Sequence, residues 1–124
     1  MTNAQIINSL QEIYPHQYPD ETILMWIVEL DKEIADYLED NYWNPIYNQH
    51  DEDADIDLDT DTLIDEPSIY IEYLEYKVCM ANNEFAIANN HAILFNSYFD
   101  AWKKRYFHVN RKDHKIPKYI RGLL

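Results

Sequence analysis

Among the residue types that move protons, attack carbonyls or hold metals, this sequence is rich in only one. It carries 23 aspartates and glutamates against ten lysines and arginines, five histidines and a single cysteine. From Asp55 it reads Asp-Ile-Asp-Leu-Asp-Thr-Asp-Thr-Leu-Ile-Asp-Glu, which sets oxygen donors at the first, third, fifth, seventh and twelfth places of an EF-hand calcium loop, with Glu66 last. The pattern fails at the sixth place, where the sharp turn calls for glycine and Thr60 stands, and again at Thr62, where an aliphatic residue belongs. Pro45 also leaves no entering helix at the right distance. Glu29 with Glu33, and Glu72 with Glu75, are carboxylate pairs at one-turn spacing, the raw material of acid–base catalysis. On an acidic helix such pairs ordinarily form a solvated face. His16, His50, His91, His108 and His114 are scattered, and only the last two share a region. Gly122 is the only glycine, so no phosphate-cradling loop exists, and neither a nucleophile elbow nor a His-Glu-x-x-His pair is present. Cys79 lies between Val78 and Met80 and reads as a buried thiol, with no second cysteine for an internal disulfide or a cysteine-based zinc cluster. The expectation is a protein without catalytic residues, metal or cofactor.

The elements that would carry these residues are helical, and the fold class expected is all-α, a small bundle. Helix one spans about Thr2 to Tyr14, with Thr2 as cap, Ile6, Ile7, Leu10 and Ile13 on one face, and Pro15 as stop. Helix two spans about Glu21 to Tyr42 behind an Asp20 cap. Its apolar stripe is Ile23, Ile27, Leu30, Ile34 and Tyr37, widened by Trp26, Val28 and Leu38. Residues 43–66 break the helical pattern. Asp53, Asp55, Asp57, Asp59 and Asp61 alternate with Ala54, Ile56, Leu58 and Thr60, which suits either a short hairpin arm with one acidic face or a solvated loop. Pro67 fits a first helical position, and the longest stripe follows: Leu74, Val78, Ala81, Phe85, Ala88, Ala92, Phe95, Phe99, Trp102 and Tyr106. Unbroken, it predicts one long C-terminal helix of about 60 Å, or two collinear helices kept in phase. Asn82-Asn83 and Asn89-Asn90 are the places for a bend. A stripe so long predicts packing on helix two along one part and on neighbouring subunits along the rest.

Charge divides the chain. Residues 1–102 hold 22 of the 23 acids and two bases, Lys32 and Lys77, leaving that part near −20; the remainder is near +7. The reading is a helical domain over 1–109 containing the acidic loop 43–66, and a basic C-terminal arm over 110–124. Lys103, Lys104, Arg105, Arg111, Lys112, Lys115, Lys118 and Arg121, with Ile116, Tyr119, Ile120 and Leu123, are the candidate docking residues. An arm that docks on a partner and an arm that folds back on its own acidic body are both open. The acidic body would repel nucleic acid from most approaches. No run reaches membrane-spanning length, and Met1-Thr2-Asn3-Ala4 lacks the basic start of a signal peptide, so a cytoplasmic site of synthesis is expected. Eleven tyrosines in 124 residues favour packing at interfaces.

Tyr18-Pro19-Asp20-Glu21, then Leu24, Trp26, Glu29, Leu30, Asp31 and Ile34, resembles the opening of the small head-to-tail connector (adaptor) proteins of long-tailed phages of Gram-positive bacteria. Tyr70, Tyr73-Leu74, Asn82-Asn83-Glu84, Asn89-Asn90, Phe95-Asn96, Tyr98, Trp102, Tyr106 and Phe107 extend the likeness over about residues 15–108. It departs in the acidic insertion near 50–62 and in the basic end after Arg111. The resemblance implies a structural virion protein at the neck, assembled in the host cytoplasm. Its subunits would form a ring of about twelve copies under the portal, extend the DNA conduit and dock the next connector or the tail. DNA would pass without specific binding, and no membrane would be involved. In such a conduit an acidic wall keeps DNA free to slide, so Glu29, Glu33, Asp36 and Asp40, or the 51–66 loop, are the candidate bore-facing acids. The alternative is an acidic DNA mimic that inhibits a nucleic-acid-binding protein, against which the cationic arm counts. Because Thr60 replaces the turn glycine, calorimetry on the isolated subunit should find no stoichiometric calcium site of micromolar affinity or tighter in the Asp51–Glu66 loop.

Overall fold

A computed structural model describes residues 1–48 and 56–116, and it is all-helical: α1 (Asn3–Ile13), α2 (Asp20–Asn41), α3 (Pro67–Ala81) and α4 (Phe85–Asn110), followed by a single 3₁₀ turn at Arg111–Asp113. Helix α1 starts in a capping box. The Thr2 hydroxyl accepts from the Gln5 amide at 3.2 Å, and the Gln5 side chain accepts from the Thr2 amide at 2.8 Å. The next two amides do not face water. Asn3 donates to the Thr60 carbonyl and Ala4 to that of Leu58, both at 2.9 Å, so the end of the acidic loop closes the helix start. Ile6, Ile7 and Leu10 point into the core. Ile13, expected on the same face, is instead 63% exposed, because the helix stops there and no turn follows to cover it.

In α2 the cap is Pro19 and not Asp20. The Pro19 carbonyl accepts from Thr22 and Ile23, while Asp20 and Glu21 sit in the first turn, where the helix dipole favours anions. Ile23, Trp26, Ile27, Leu30, Ile34 and Leu38 are buried, as the stripe requires. Asp31 is buried among them. Its carboxylate accepts a 2.6 Å bond from the Tyr70 hydroxyl and a longer one from the Leu63 amide at 3.4 Å, and Ile64 donates its amide to the same phenol at 3.2 Å. Leu63 and Ile64 thereby enter the core. Among the described residues no strand forms, only isolated bridges between Thr2 and Asp61 and between Tyr42 and His114. The described end of the 43–66 segment is therefore a docked loop rather than a hairpin arm.

The long stripe is neither one helix nor two collinear ones. Helix α3 ends in a Schellman motif: the Glu84 amide donates to the Cys79 carbonyl at 2.8 Å, and the Asn83 amide to that of Met80 at 3.1 Å. Asn83 takes the left-handed conformation at φ 60° that glycine usually supplies and asparagine tolerates. The chain reverses, and α4 runs back along α3, its Phe95 ring 5.5 Å from that of Tyr73 and its Arg105 3.3 Å from Glu66 at the far end. The phase held across the turn because both halves face one core. Leu74, Val78, Ala88 and Tyr106 are buried, and Phe95, Phe99 and Trp102 lie against them in a ladder of ring contacts at 5.2–5.9 Å ending on Tyr106. Ala92 is half-buried, whereas Ala81 and Phe85 flank the turn and are exposed. The long C-terminal helix is α4 itself, about 39 Å for its 26 residues.

Burial, then the Asp31 charge, pushes the Tyr70 phenol far above its ordinary pKa of 10.0. Above pH 10 an unfolded Tyr70 releases a proton that the folded one keeps, so the folded state binds more protons and stability falls as pH rises. Tyr70→Phe should therefore flatten the loss of urea midpoint above pH 10. At neutral pH it should destabilise by about 1–3 kcal/mol, because the Asp31 carboxylate loses its closest donor.

Candidate functional site

Glu29, Glu33, Asp36 and Asp40 recur at four, three and four residues along α2, on the flank of its buried stripe next to Trp26, and all are exposed. They form one acidic row. Glu29 meets Lys77 of α3 at 3.6 Å, and Lys77 also lies over the Trp26 and Tyr73 rings. Burial, reinforced by the Glu33 and Glu29 charges, raises the Tyr73 phenol to about 12. Asp51, Asp53 and Asp55 lie outside the described residues. Of the loop carboxylates that follow, Asp57 accepts from the Asp59 amide and the Thr60 hydroxyl, a local turn that engages one of the EF-hand-like oxygens.

The basic end is divided in its use. Lys103 lies over Phe99 at 4.5 Å and Tyr37 at 4.9 Å and pairs with Asp100, and Arg105 pairs with Glu66. Beyond α4 the chain turns back onto the C-terminal end of α2. Lys115 donates its amide to the Asn41 carbonyl at 2.7 Å and its ammonium to that of Glu39 at 2.6 Å, while the Trp43 amide donates to Asp113. His114 packs edge-on to Tyr42, and Lys115 covers the Trp43 ring. The cause is visible in α2: its last turn holds no base, so its carbonyls and the negative end of its dipole need a cation from elsewhere. Of the two readings of the arm, residues 111–116 thus follow the fold-back one. Lys104, Arg111 and Lys112 remain exposed, as is Ile116; Lys118, Tyr119, Ile120, Arg121 and Leu123 lie outside the described residues.

Two features were missed in the sequence. Ile87, Leu94 and Tyr98, spaced by seven and four residues, are 40–44% exposed along one edge of α4 beside the aromatic ladder, and Ile93 is 59% exposed farther round the helix. The first three mark a second apolar edge on the helix, overlaid in the sequence by the stronger inner stripe. The other feature is a cluster across the hairpin. Glu72 and Glu75 of α3 each place a carboxylate oxygen 2.8 Å from the same imidazole nitrogen, Nδ1 of His91 in α4. Among the described residues this is the one group of three carboxylate, imidazole or thiol side chains converged closely enough to share an ion. Burial raises the Glu75 pKa, the His91 charge opposes that rise, and Glu72 adds to it. The carboxylate pair was legible in the sequence, but its histidine comes from 16 residues beyond Glu75 and only the reversal at Asn83 brings it there.

No family model, curated protein or solved structure matches this chain. Its surfaces must carry the functional argument: an acidic row on α2, an exposed apolar edge on α4, and exposed bases where α4 ends. Cys79 is buried, with its sulfur 3.4 Å from the Tyr14 hydroxyl, and belongs to none of them.

Because residues 111–115 close the end of α2, deleting 111–124 is expected to lower thermal stability by about 1–3 kcal/mol, from a few net hydrogen bonds of about 1 kcal/mol each. The helical circular-dichroism signal at low temperature should be retained. An unchanged melting midpoint would show that the α2 terminus does not need this contact.

Proposed function

We propose that the protein is a structural head-to-tail connector subunit that forms a ring beneath a phage portal, extending the DNA conduit and docking the next connector or the tail. The observation that carries this reading is the exposed apolar edge of α4, Ile87, Leu94 and Tyr98. A helix that carries an exposed apolar edge beside the stripe its own chain buries is suited to pack against another copy. Unlike faces meeting head to tail generate a ring when the rotation closes. The likeness of residues 15–108 to connector proteins supports the same reading.

Within such a ring the acidic row of Glu29, Glu33, Asp36 and Asp40 faces the bore. A basic wall would neutralise phosphates, release counterions and hold the DNA; a carboxylate wall repels it over the 8–10 Å that salt leaves unscreened, on the order of one Debye length. Lys104, Arg111 and Lys112 point away from the bore, toward an acidic surface of the portal or of an adjacent subunit. Exposed pairs contribute about 0–1 kcal/mol each, so docking there relies on several together. The acidic row is also what an inhibitor that mimics DNA would present. That reading requires tight binding to a cationic nucleic-acid-binding protein and none to a portal.

Mixed with purified portal, the subunit should give stacked rings by electron microscopy and a matching mass by light scattering. Leu94→Glu and Ile87→Glu should each abolish ring formation while leaving the melting midpoint within about 0.5 kcal/mol of wild type, as exposed sites permit. Failure of the wild-type protein to bind portal under any condition, or unimpaired rings from both variants, would overturn the proposal.

A further inference from the structure

We infer that Glu72, Glu75 and His91 form a binding site for a divalent transition-metal ion that pins α4 to α3. The donors come from both arms of the hairpin. Glu72 and Glu75 lie three residues apart on one face of α3, and His91 stands two turns into α4. Their ligand atoms all lie within 4.8 Å of one another, and both carboxylates point at Nδ1 of one ring. The side chains are mostly shielded, with exposures of 16% for Glu72, 7% for Glu75 and 18% for His91. Tyr14, which caps the C-terminal end of α1, lies beside the group, its ring edge-on to His91 at 6.3 Å and its hydroxyl 3.4 Å from Glu84.

Charge is the reason a proton alone serves this place poorly. An imidazolium offers one positive charge at Nδ1 to two carboxylates, leaving a net negative charge at a shielded position. A divalent ion held by neutral imidazole and two carboxylates leaves none. The two carboxylate oxygens, within 4.8 Å of each other, would draw together by up to about 1.5 Å as the ion enters. In a tetrahedral zinc site with ligand distances of about 2.0–2.1 Å, donor atoms lie roughly 3.3 Å apart. The two N···O distances of 2.8 Å would open by about 0.5 Å, within reach of small side-chain rotations. One nitrogen and two oxygens select zinc, cobalt or nickel over calcium or magnesium, which prefer all-oxygen shells of six or more ligands. Three protein ligands leave at least one position for water, on the side that Glu72 and His91 expose.

Zinc titrated into the tag-free full-length protein should bind one equivalent per chain in calorimetry and raise the melting midpoint, with calcium at the same concentration doing neither. His91→Gln, which keeps the other four histidines, and Glu72→Gln should each weaken binding by about tenfold or more. Cobalt, whose paramagnetism relaxes nearby nuclei, should broaden the His91 ring signals in the wild-type NMR spectrum before those of any other histidine. That readout needs no variant to fold. No saturable zinc binding by the folded wild type, equal affinity in a folded His91→Gln protein, or cobalt broadening that starts at another histidine would each overturn the inference.

Discussion

The left-handed residue at Asn83 decides where the second half of this chain goes. Without it, α3 would continue along its own axis, and the aromatic residues from Phe95 to Tyr106 would project far beyond α1 and α2 with nothing to cover them. The Schellman bonds from Glu84 to Cys79 and from Asn83 to Met80 satisfy the last carbonyls of α3 as they reverse the chain. Everything that α4 contributes follows from that reversal. The Phe95–Phe99–Trp102–Tyr106 ladder closes the core, the Tyr106 hydroxyl accepts from the Ile46 amide at 2.6 Å, and His91 reaches Glu72 and Glu75. The edge of Ile87, Leu94 and Tyr98 stays exposed because α4 is the last arm of the hairpin and, among the described helices, has only α3 alongside it.

A second constraint ties the acidic loop to the body. Asp31 is a carboxylate in an otherwise apolar stripe, and a charge so placed is tolerable only with hydrogen bonds to it. Tyr70 and the Leu63 amide supply them, so α2, α3 and the loop meet at one group. The same loop gives its Leu58 and Thr60 carbonyls to the first amides of α1. Its described end is therefore held at two places through its backbone groups, without glycine, while its carboxylates make short-range contacts of their own, Asp57 within the turn, Asp65 with Asn48 and Glu66 with Arg105. High charge and fixed geometry coexist in one segment because backbone amides and carbonyls carry most of the anchoring.

Much of this could be read from residue order. The Thr2 cap with Gln5, the α2 stripe, Pro67 at the first position of α3 and the helical class all follow from local rules, and the acidic row on α2 is the complement of a stripe that was plain. What escaped depends on contacts between segments. A heptad repeat that passes through a turn without losing phase looks the same as one that continues, and asparagine, unlike glycine, gives only a weak sign of a left-handed residue. The His91 cluster was hidden behind that one ambiguity. The fold-back of residues 111–116 was undecided in the sequence because a basic segment complements any acidic neighbour; the choice rests on the base-free last turn of α2, whose carbonyls lie within reach of Lys115. The exposed edge of α4 was masked because it adjoins the stronger stripe, and residue order alone does not say how wide an apolar stripe the core can cover.

An exposed apolar edge beside a buried stripe carries a physical consequence. A surface helix of a small self-sufficient domain needs one apolar stripe, and an edge that widens it beyond the core is normally covered by something else. In this chain α4 packs along α3, with Tyr37 of α2 against Phe99, and leaves Ile87, Leu94 and Tyr98 40–44% exposed. Burying the part of those side chains still exposed would contribute on the order of 1 kcal/mol each, less the entropy of holding the partner. Exposed ion pairs at the basic end contribute less individually and weaken with salt. In any association the apolar edge would therefore be the larger source of affinity and the charges the source of orientation. A chain that keeps carboxylates exposed on α2 and cations exposed at the end of α4 presents, beside that edge, two surfaces of opposite sign.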